Sequence, residues 1–133
     1  MVNIMKIAAV LFLLLIINVQ HSFSQAPNNN MYLVDNKNDH LGNLLYSAIW
    51  GYVAPNGREY AILGCGDGTA FYDITDTSNV TESGFIPGLS SYWREFKTFG
   101  HYAYIVSEAE GSGLQIVDLQ YLPDSLRLVN TFL

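Results

Sequence analysis

From Leu44 onward, aromatic and β-branched residues come in runs of five to eight, separated by glycine, proline, asparagine and aspartate. Such runs are typical of β-strands joined by turns. No window of eleven or more residues after position 24 shows the 3.6-residue periodicity of an amphipathic helix. The pattern therefore predicts an all-β fold. Its predicted strands are Ser47–Val53, Glu59–Leu63, Thr69–Ile74, Thr81–Ile86, Trp93–Phe99, Tyr102–Ser107, Leu114–Leu119 and Leu126–Phe132.

The predicted strands form two similar series of four, because landmark residues recur at steps of 42 to 45 residues. The repeated pairs are Trp50 and Trp93, Gly57 and Gly100, Tyr60 and Tyr102, Gly68 and Gly113, and Asp73 and Asp118. Four short strands in a period of about 40–45 residues indicate a β-propeller blade, whose two apolar faces are covered when blades stack around an axis. We therefore expect two blade-like four-stranded antiparallel sheets, in residues 44–90 and 91–133.

A β-sandwich of about seven strands is the alternative for a chain of this size. A sandwich accounts for the number of strands, but not for the recurrence of Trp, Tyr-Ala, Gly and Asp in the same order, so the repeat favours the propeller. Two blades are too few to close a ring, which typically needs roughly four or more. We therefore expect the chain to be the N-terminal part of a longer protein.

The first 24 residues have the layout of a helical secretory signal peptide. Lys6 precedes an apolar run over residues 7–19, which is too short for a membrane-spanning helix of about 20 apolar residues. Small residues then precede a cleavage site predicted between Ser24 and Gln25. Residues 25–43 are polar and are predicted to be a flexible leader. These features predict a secreted, extracellular or surface-held protein.

Charge and cysteine content narrow the classes of partner. Twelve acidic side chains against six basic ones give a net charge of −6 at pH 7, which argues against binding to nucleic acid or to anionic lipid. Cys65 is the single cysteine, so the chain has no internal disulfide. Because Cys65 follows the apolar run 60–63, it is predicted to be buried.

Several blocks resemble one family of exported proteins. Residues 113–119, Gly-Leu-Gln-Ile-Val-Asp-Leu, resemble the Leu-Val-Ile-Val-Asp repeat, and residues 68–76 resemble its sister copy. With the blocks at 49–52, 57–61, 93–97 and 102–109, the resemblance to "choice-of-anchor B" proteins runs from about Leu44 to Leu119. It implies a propeller held at the cell surface by a C-terminal segment that differs between members. The resemblance implies no established activity.

The densest polar and aromatic cluster lies in the fifth predicted strand. The candidate contacts for a ligand or partner are Trp93, Arg94, Glu95 and Lys97, together with Glu108 in the next hairpin. Alternation along a strand points Arg94 and Phe96 to one face and Glu95 and Lys97 to the other. The alternative, which the sequence favours, is an ion pair between blades beneath a packing tryptophan.

Aspartates near the turns raise the question of a calcium site. Asp67 lies between two glycines, and Asp73, Asp76 and Asn79 are spaced by three residues. They lack the spacing of a calcium-binding loop, and hydrogen bonds from Asx side chains to their own backbone explain them better. We therefore predict no metal or cofactor, with calcium as the alternative.

The sequence holds no catalytic motif that we can identify. After residue 24 its histidines are His40 and His101, which are far apart, and it has no Gly-x-Ser-x-Gly elbow or pair of zinc-binding cysteines. The first hypothesis is therefore an exported propeller that binds or scaffolds an extracellular protein or glycan. The alternative is a metal-assisted hydrolase or lactonase whose site lies mostly in further blades.

Overall fold

The computed structural model of the chain describes residues 33–40 and 46–133. The predicted signal peptide, with its cleavage site at Ser24 and Gln25, lies outside the described residues. The described residues form an all-β fold of two four-stranded antiparallel sheets, and the predicted all-β class is thereby confirmed. Within the two described ranges, no helix is long and apolar enough to cross a membrane.

Each sheet is a meander in which strands that follow one another in the chain are neighbours in space. The first sheet contains β1 (Ile49–Val53), β2 (Glu59–Cys65), β3 (Gly68–Asp73) and β4 (Thr81–Pro87). The second sheet contains β5 (Arg94–Phe99), β6 (Tyr102–Ser107), β7 (Leu114–Asp118) and β8 (Arg127–Phe132). All eight predicted strands are found, with ends within two residues of the predicted positions.

The two sheets repeat each other in register. Tyr60 pairs with Asp73 across β2 and β3, and Tyr102 pairs with Asp118 across β6 and β7. The third and fourth strands of each sheet shift register at the same step, between Phe71 and Tyr72 in the first sheet and between Ile116 and Val117 in the second. The sequence repeat is therefore also a repeat of backbone geometry, including its irregularity.

Asp73 at the end of β3 and Asp118 at the end of β7 each accept a hydrogen bond from the backbone N–H two residues further along the chain. The Thr75 backbone N–H donates to Asp73 Oδ1 over 2.9 Å, and the Gln120 backbone N–H donates to Asp118 Oδ1 over 3.0 Å. These are the Asx turns that the sequence predicted for Asp73. Each turn aims the chain from its third strand toward its fourth.

Gly68 and Gly113 also recur for a physical reason. A Cβ at Gly68 would clash with the carbonyl oxygen of Ile86, and a Cβ at Gly113 would clash with that of Phe132. Gly113 additionally has a φ of +61°, which favours glycine. Both glycines therefore let the fourth strand of their sheet approach the third.

The register corrects one predicted equivalence, because Trp50 corresponds to Lys97 and not to Trp93. Trp50 pairs with Ile62, two residues beyond the repeated tyrosine of β2. The residue two beyond the repeated tyrosine of β6 is Tyr104, which pairs with Lys97. The prediction was wrong because the turn between β5 and β6 is shorter than the turn between β1 and β2. The sequence spacing between β1 and β5 therefore differs from the spacing between β2 and β6.

The two sheets share one core, and they meet with unlike faces. We define the front face of a sheet as the one that carries its repeated tyrosine, and the back face as the other. In the first sheet the front residues Tyr60 and Ile62 are buried in the shared core. In the second sheet the core residues are Ala103 and Ile105, which alternate with the repeated tyrosine Tyr102 and therefore belong to the back face.

The back face of the first sheet is covered in part by residues of the segment predicted as a leader. The His40 ring stacks on Phe85 with centroids 4.3 Å apart, and His40 Nε2 lies 2.7 Å from Glu82 Oε2. The Tyr72 hydroxyl donates to Asp39 Oδ2 over 3.3 Å. These contacts place Asp39 and His40 against the sheet.

The front face of the second sheet carries exposed apolar side chains. Phe99, Val106 and Phe132 share this face with the half-buried Tyr104. Each of the first three is more than two-fifths exposed, and within the described ranges no segment covers them. Exposed apolar patches are a common feature of association sites.

The Cys65 thiol is buried, as the sequence predicted. Burial raises the pKa of this thiol from its ordinary value of 9.0 to about 11. A raised pKa stabilises the folded state below the pKa of the unfolded chain, and this contribution of about 2–3 kcal/mol is lost as the pH rises from about 9 to about 11. We expect Cys65→Ala to flatten this part of the stability profile, measured by urea unfolding at each pH. An unchanged slope in the variant would contradict the assignment to Cys65.

Candidate ligand-binding cleft

A cleft of about 350 Å³ lies at the end of the sheets where β5 begins and β6 ends. The connection between β4 and β5 forms one wall, and the turn between β6 and β7 forms the other. The residues that give it polar and apolar character are Gly88, Leu89, Arg94, Ser107, Ser112 and Gln115. Both walls are loops held by regular strands, an arrangement that commonly carries binding residues.

Arg94 is the candidate residue that the structure places in this cleft. It is only 2% exposed, and its Nε donates to the carbonyl oxygen of Cys65 over 2.8 Å. Its Nη2 donates to the carbonyl oxygens of Gly66, over 3.5 Å, and Leu89. Arg94 therefore ties the turn between β2 and β3 to the connection between β4 and β5.

The ion pair that the sequence favoured for this cluster is not formed by Arg94 within the described ranges. No carboxylate oxygen of residues 33–40 or 46–133 lies within the 4.0 Å of an ion pair with this guanidinium. Burial lowers the pKa of Arg94, an effect that the nearby Cys65 and Asp67 oppose. The buried cation is satisfied by backbone carbonyls, which accept hydrogen bonds without neutralising charge.

Glu95 and Lys97 lie on the opposite face of β5 and are exposed, as alternation predicted. Lys97 Nζ lies 3.7 Å from the centroid of the Trp50 ring, and Trp50 Nε1 donates to Thr98 Oγ1 over 3.1 Å. A cation–π contact therefore joins the first strands of the two sheets where an ion pair was predicted. This contact lies away from the cleft.

Trp93 and Glu108 lie next to one another just before β5 and just after β6. The Glu108 backbone N–H donates to the Trp93 carbonyl oxygen over 3.4 Å, and the Tyr92 N–H donates to Glu108 Oε1 over 3.3 Å. The Trp93 side chain is 65% exposed. The predicted packing role of Trp93 was therefore wrong, since the ring lies before the strand and outside the core, whereas Trp50 does pack against the core.

Sequence reasoning missed the other polar residues of the cleft. Ser107 lines it with an enclosed hydroxyl that has no hydrogen-bond partner among the described residues. Ser112 Oγ donates to the Ser107 carbonyl oxygen over 3.1 Å, and Gln115 Nε2 donates to the Pro87 carbonyl oxygen over 2.9 Å. Single serines and glutamines in strands and turns give no distinctive pattern, so only the fold brings them to Arg94.

A second cavity, of about 440 Å³, lies at the opposite end of the sheets. Tyr52, His101 and Gln120 contribute to its lining. Tyr52 is buried, its hydroxyl has no partner within the described ranges, and burial raises its pKa. This cavity holds no buried charged side chain, so the first cleft is the stronger candidate.

In residues 33–40 and 46–133, no three His, Cys, Asp or Glu side chains are placed to hold a metal ion. Asp67 is exposed in the turn between β2 and β3, and Asp76 accepts hydrogen bonds from the backbone N–H and the hydroxyl of Ser78. Searches of known protein families, curated proteins and solved structures find no match to the chain. The site is therefore interpreted from its own geometry.

Asp73 gives a prediction for acid pH. Burial raises the pKa of its carboxyl, but the hydrogen bonds from Thr75 and Arg58 outweigh burial and hold the pKa below its usual value. A lowered pKa stabilises the folded state above the unfolded value of about 4, and this contribution is lost as the pH falls through the folded pKa. We expect Asp73→Asn to reduce the loss of stability below pH ~4, followed by urea unfolding, and Arg58→Met to reduce it in part. Equal acid slopes in all three proteins would contradict this assignment.

Proposed function

We propose that this protein is an exported binding or scaffold protein whose two sheets are consecutive blades of a β-propeller, as in the choice-of-anchor B proteins that it resembles. The observation that carries this proposal is the front-to-back stacking of two equivalent meanders. Blades around an axis must stack in this way, because each blade is related to the next by the same rotation. The signal-like residues 1–24 support export.

The arrangement of the edges supports a propeller over a sandwich. Among strands of different sheets, β5 comes close to β1 and β2, and the first strands are bridged by the hydrogen bond from Trp50 to Thr98. Equivalent strands therefore lie side by side, and the chain returns from β4 to β5 through residues 88–93. In a β-sandwich made of two meanders, by contrast, the front face of one sheet could equally pack against the front face of the other.

A binding function fits the position and lining of the cleft. The loops at one end of the sheets surround the buried guanidinium of Arg94, several polar groups and the apolar side chain of Leu89. Small-ligand sites combine an apolar lining with a few polar or charged groups in this way. An extracellular protein or glycan is the class of partner that we propose, because the acidic composition disfavours nucleic acid and anionic lipid. We also propose, from the same resemblance, that the protein is held at the cell surface.

Tandem copies of the two sheets test the propeller. Residues 46–133 are joined in two or three successive copies, giving four or six sheets, within the roughly four to eight blades of known propellers. We expect a compact ring with a central channel in small-angle scattering. An extended string of independent pairs, whose radius of gyration grows with each copy, would contradict the propeller.

Export is tested separately. The full chain is expressed in a bacterium with a standard secretion pathway, and the N-terminus of the exported product is determined by mass spectrometry. We expect it to begin at Gln25. Retention of Met1 on the mature protein would overturn the export part of the proposal without affecting the fold.

A further inference from the structure

The cleft holds a positive charge that the described part of the protein leaves without a counter-ion. From this geometry we propose that the cleft binds a hexuronate, a sugar acid whose carboxylate pairs with Arg94. The proposal rests on the binding function proposed above and names the chemical class of its ligand.

The free donor of Arg94 determines the charge of the ligand. Nε and Nη2 donate to carbonyl oxygens, whereas Nη1 has no hydrogen bond to a described residue. Gly88 lies beside Nη1, since a Cβ there would be 2.6 Å from it, so the absence of a side chain keeps this side of the guanidinium open. A buried charge is stabilised strongly by a partner of opposite sign.

A singly charged carboxylate fits this site better than a phosphate. One guanidinium balances one negative charge, and a phosphate monoester carries about −1.5 to −2 at neutral pH. The excess would be placed in a chain that already has a net charge of −6. Asp67, which lies near Arg94 without an ion pair, would repel a dianion more strongly than a monoanion.

The rest of the lining fits a hydroxylated ring. The Gln115 side chain and the Ser112 hydroxyl supply polar groups on one side, and Leu89 with Ile105, which shares the back face of the second sheet with Arg94, supplies an apolar wall. A sugar ring presents hydroxyls at its edge and C–H groups on its faces. The cavity of about 350 Å³ is near the lower end of the roughly 300–1,000 Å³ of ligand pockets, so it accommodates a single ring.

The test is a calorimetric and NMR titration of the full chain with glucuronate, glucose, acetate and inorganic phosphate. We expect saturable binding of glucuronate, with glucose at least tenfold weaker because it lacks the charge. Acetate should also bind more weakly, because it lacks the ring. Equal binding of glucose, tighter binding of phosphate, or no binding of glucuronate at ~10 mM would overturn the proposal.

Two variants localise the ligand. Leu89→Trp fills the mouth of the cleft while the residue 89 carbonyl still accepts from Arg94, so glucuronate binding should fall at least tenfold in a folded protein. Leu128→Trp, at a partly exposed position outside the cleft, is the matched control and should bind as the parent does. Arg94→Lys should weaken binding less than Arg94→Met. Unchanged binding by Leu89→Trp would place the ligand elsewhere.

The outcomes separate this proposal from the propeller. Ring formation by the tandem copies tests the stacking of sheets and needs no ligand. A ring that binds no glucuronate refutes the hexuronate alone, and glucuronate binding by a chain whose copies form no ring refutes the propeller alone.

Discussion

Phe96→Ala is expected to lower the free energy of unfolding by about 3–5 kcal/mol, the usual cost of removing a buried phenylalanine. Phe96 is 1% exposed and extends from the back face of the second sheet into the shared core. Its ring tip faces Gly64 of the first sheet, where a Cβ would lie 3.1 Å from Phe96 Cζ. The truncation therefore leaves a cavity between the two sheets.

The same strand provides a matched control. Phe99 is on the other face of β5 and is 79% exposed, so Phe99→Ala should change stability by no more than about 0.5 kcal/mol. Both free energies of unfolding are measured by urea denaturation, with the same m-value (the dependence of the free energy on urea concentration) used for both variants. Equal losses in the two variants would mean that the sheets do not share the core that we describe.

Arg94→Met is expected to cost about 2–4 kcal/mol. The substitution keeps an unbranched apolar stem but removes the donors to the carbonyl oxygens of Cys65, Gly66 and Leu89. Buried carbonyl groups without donors are costly, at about 1–3 kcal/mol each, whereas removal of the buried charge recovers part of that cost. The loss is therefore expected to be smaller than the sum of the separate hydrogen bonds.

Lys97→Met is the control for the loss of a cation from β5. Lys97 is exposed and contacts the Trp50 ring, and such contacts contribute about 0.5–1 kcal/mol at exposed sites. Urea unfolding should therefore separate the two variants clearly. An Arg94 variant as stable as the Lys97 variant would show that the carbonyl groups find other donors, such as water.

The strands were predictable because their cause is local. Turn residues such as Gly57 and Gly100 interrupt runs that are apolar on both faces, and both adopt positive φ as tight turns require. The repeat was predictable for the same reason, since Asp73 and Asp118 close equivalent turns. Which face of one sheet meets the other was not predictable, because both faces are apolar and the choice depends on the connection from β4 to β5.

The candidate site was predictable only in part. Arg94 was identified from a cluster of polar residues, but the same cluster included Trp93 and Lys97, which the structure places outside the cleft. Alternation along β5 places Arg94 and Lys97 on opposite faces, as predicted, and Trp93 lies before the strand begins. Ser107 and Gln115 join the site from β6 and β7, and contacts between distant residues of this kind leave no mark in the local sequence.

The front face of the first sheet packs against the back face of the second, so any further stacking of sheets has a direction. An interface that pairs a surface with itself is complete after two copies, whereas a front-to-back interface leaves one unused surface of each kind. Here Asp39 and His40 occupy the back of the first sheet, while Phe99 and Phe132 leave the front of the second sheet exposed. If further sheets stacked in the same way, they would therefore add in one direction only, at the exposed front of the second sheet and not at the covered back of the first. Another sheet could stack on this back face in the same way only if Asp39 and His40 moved off it.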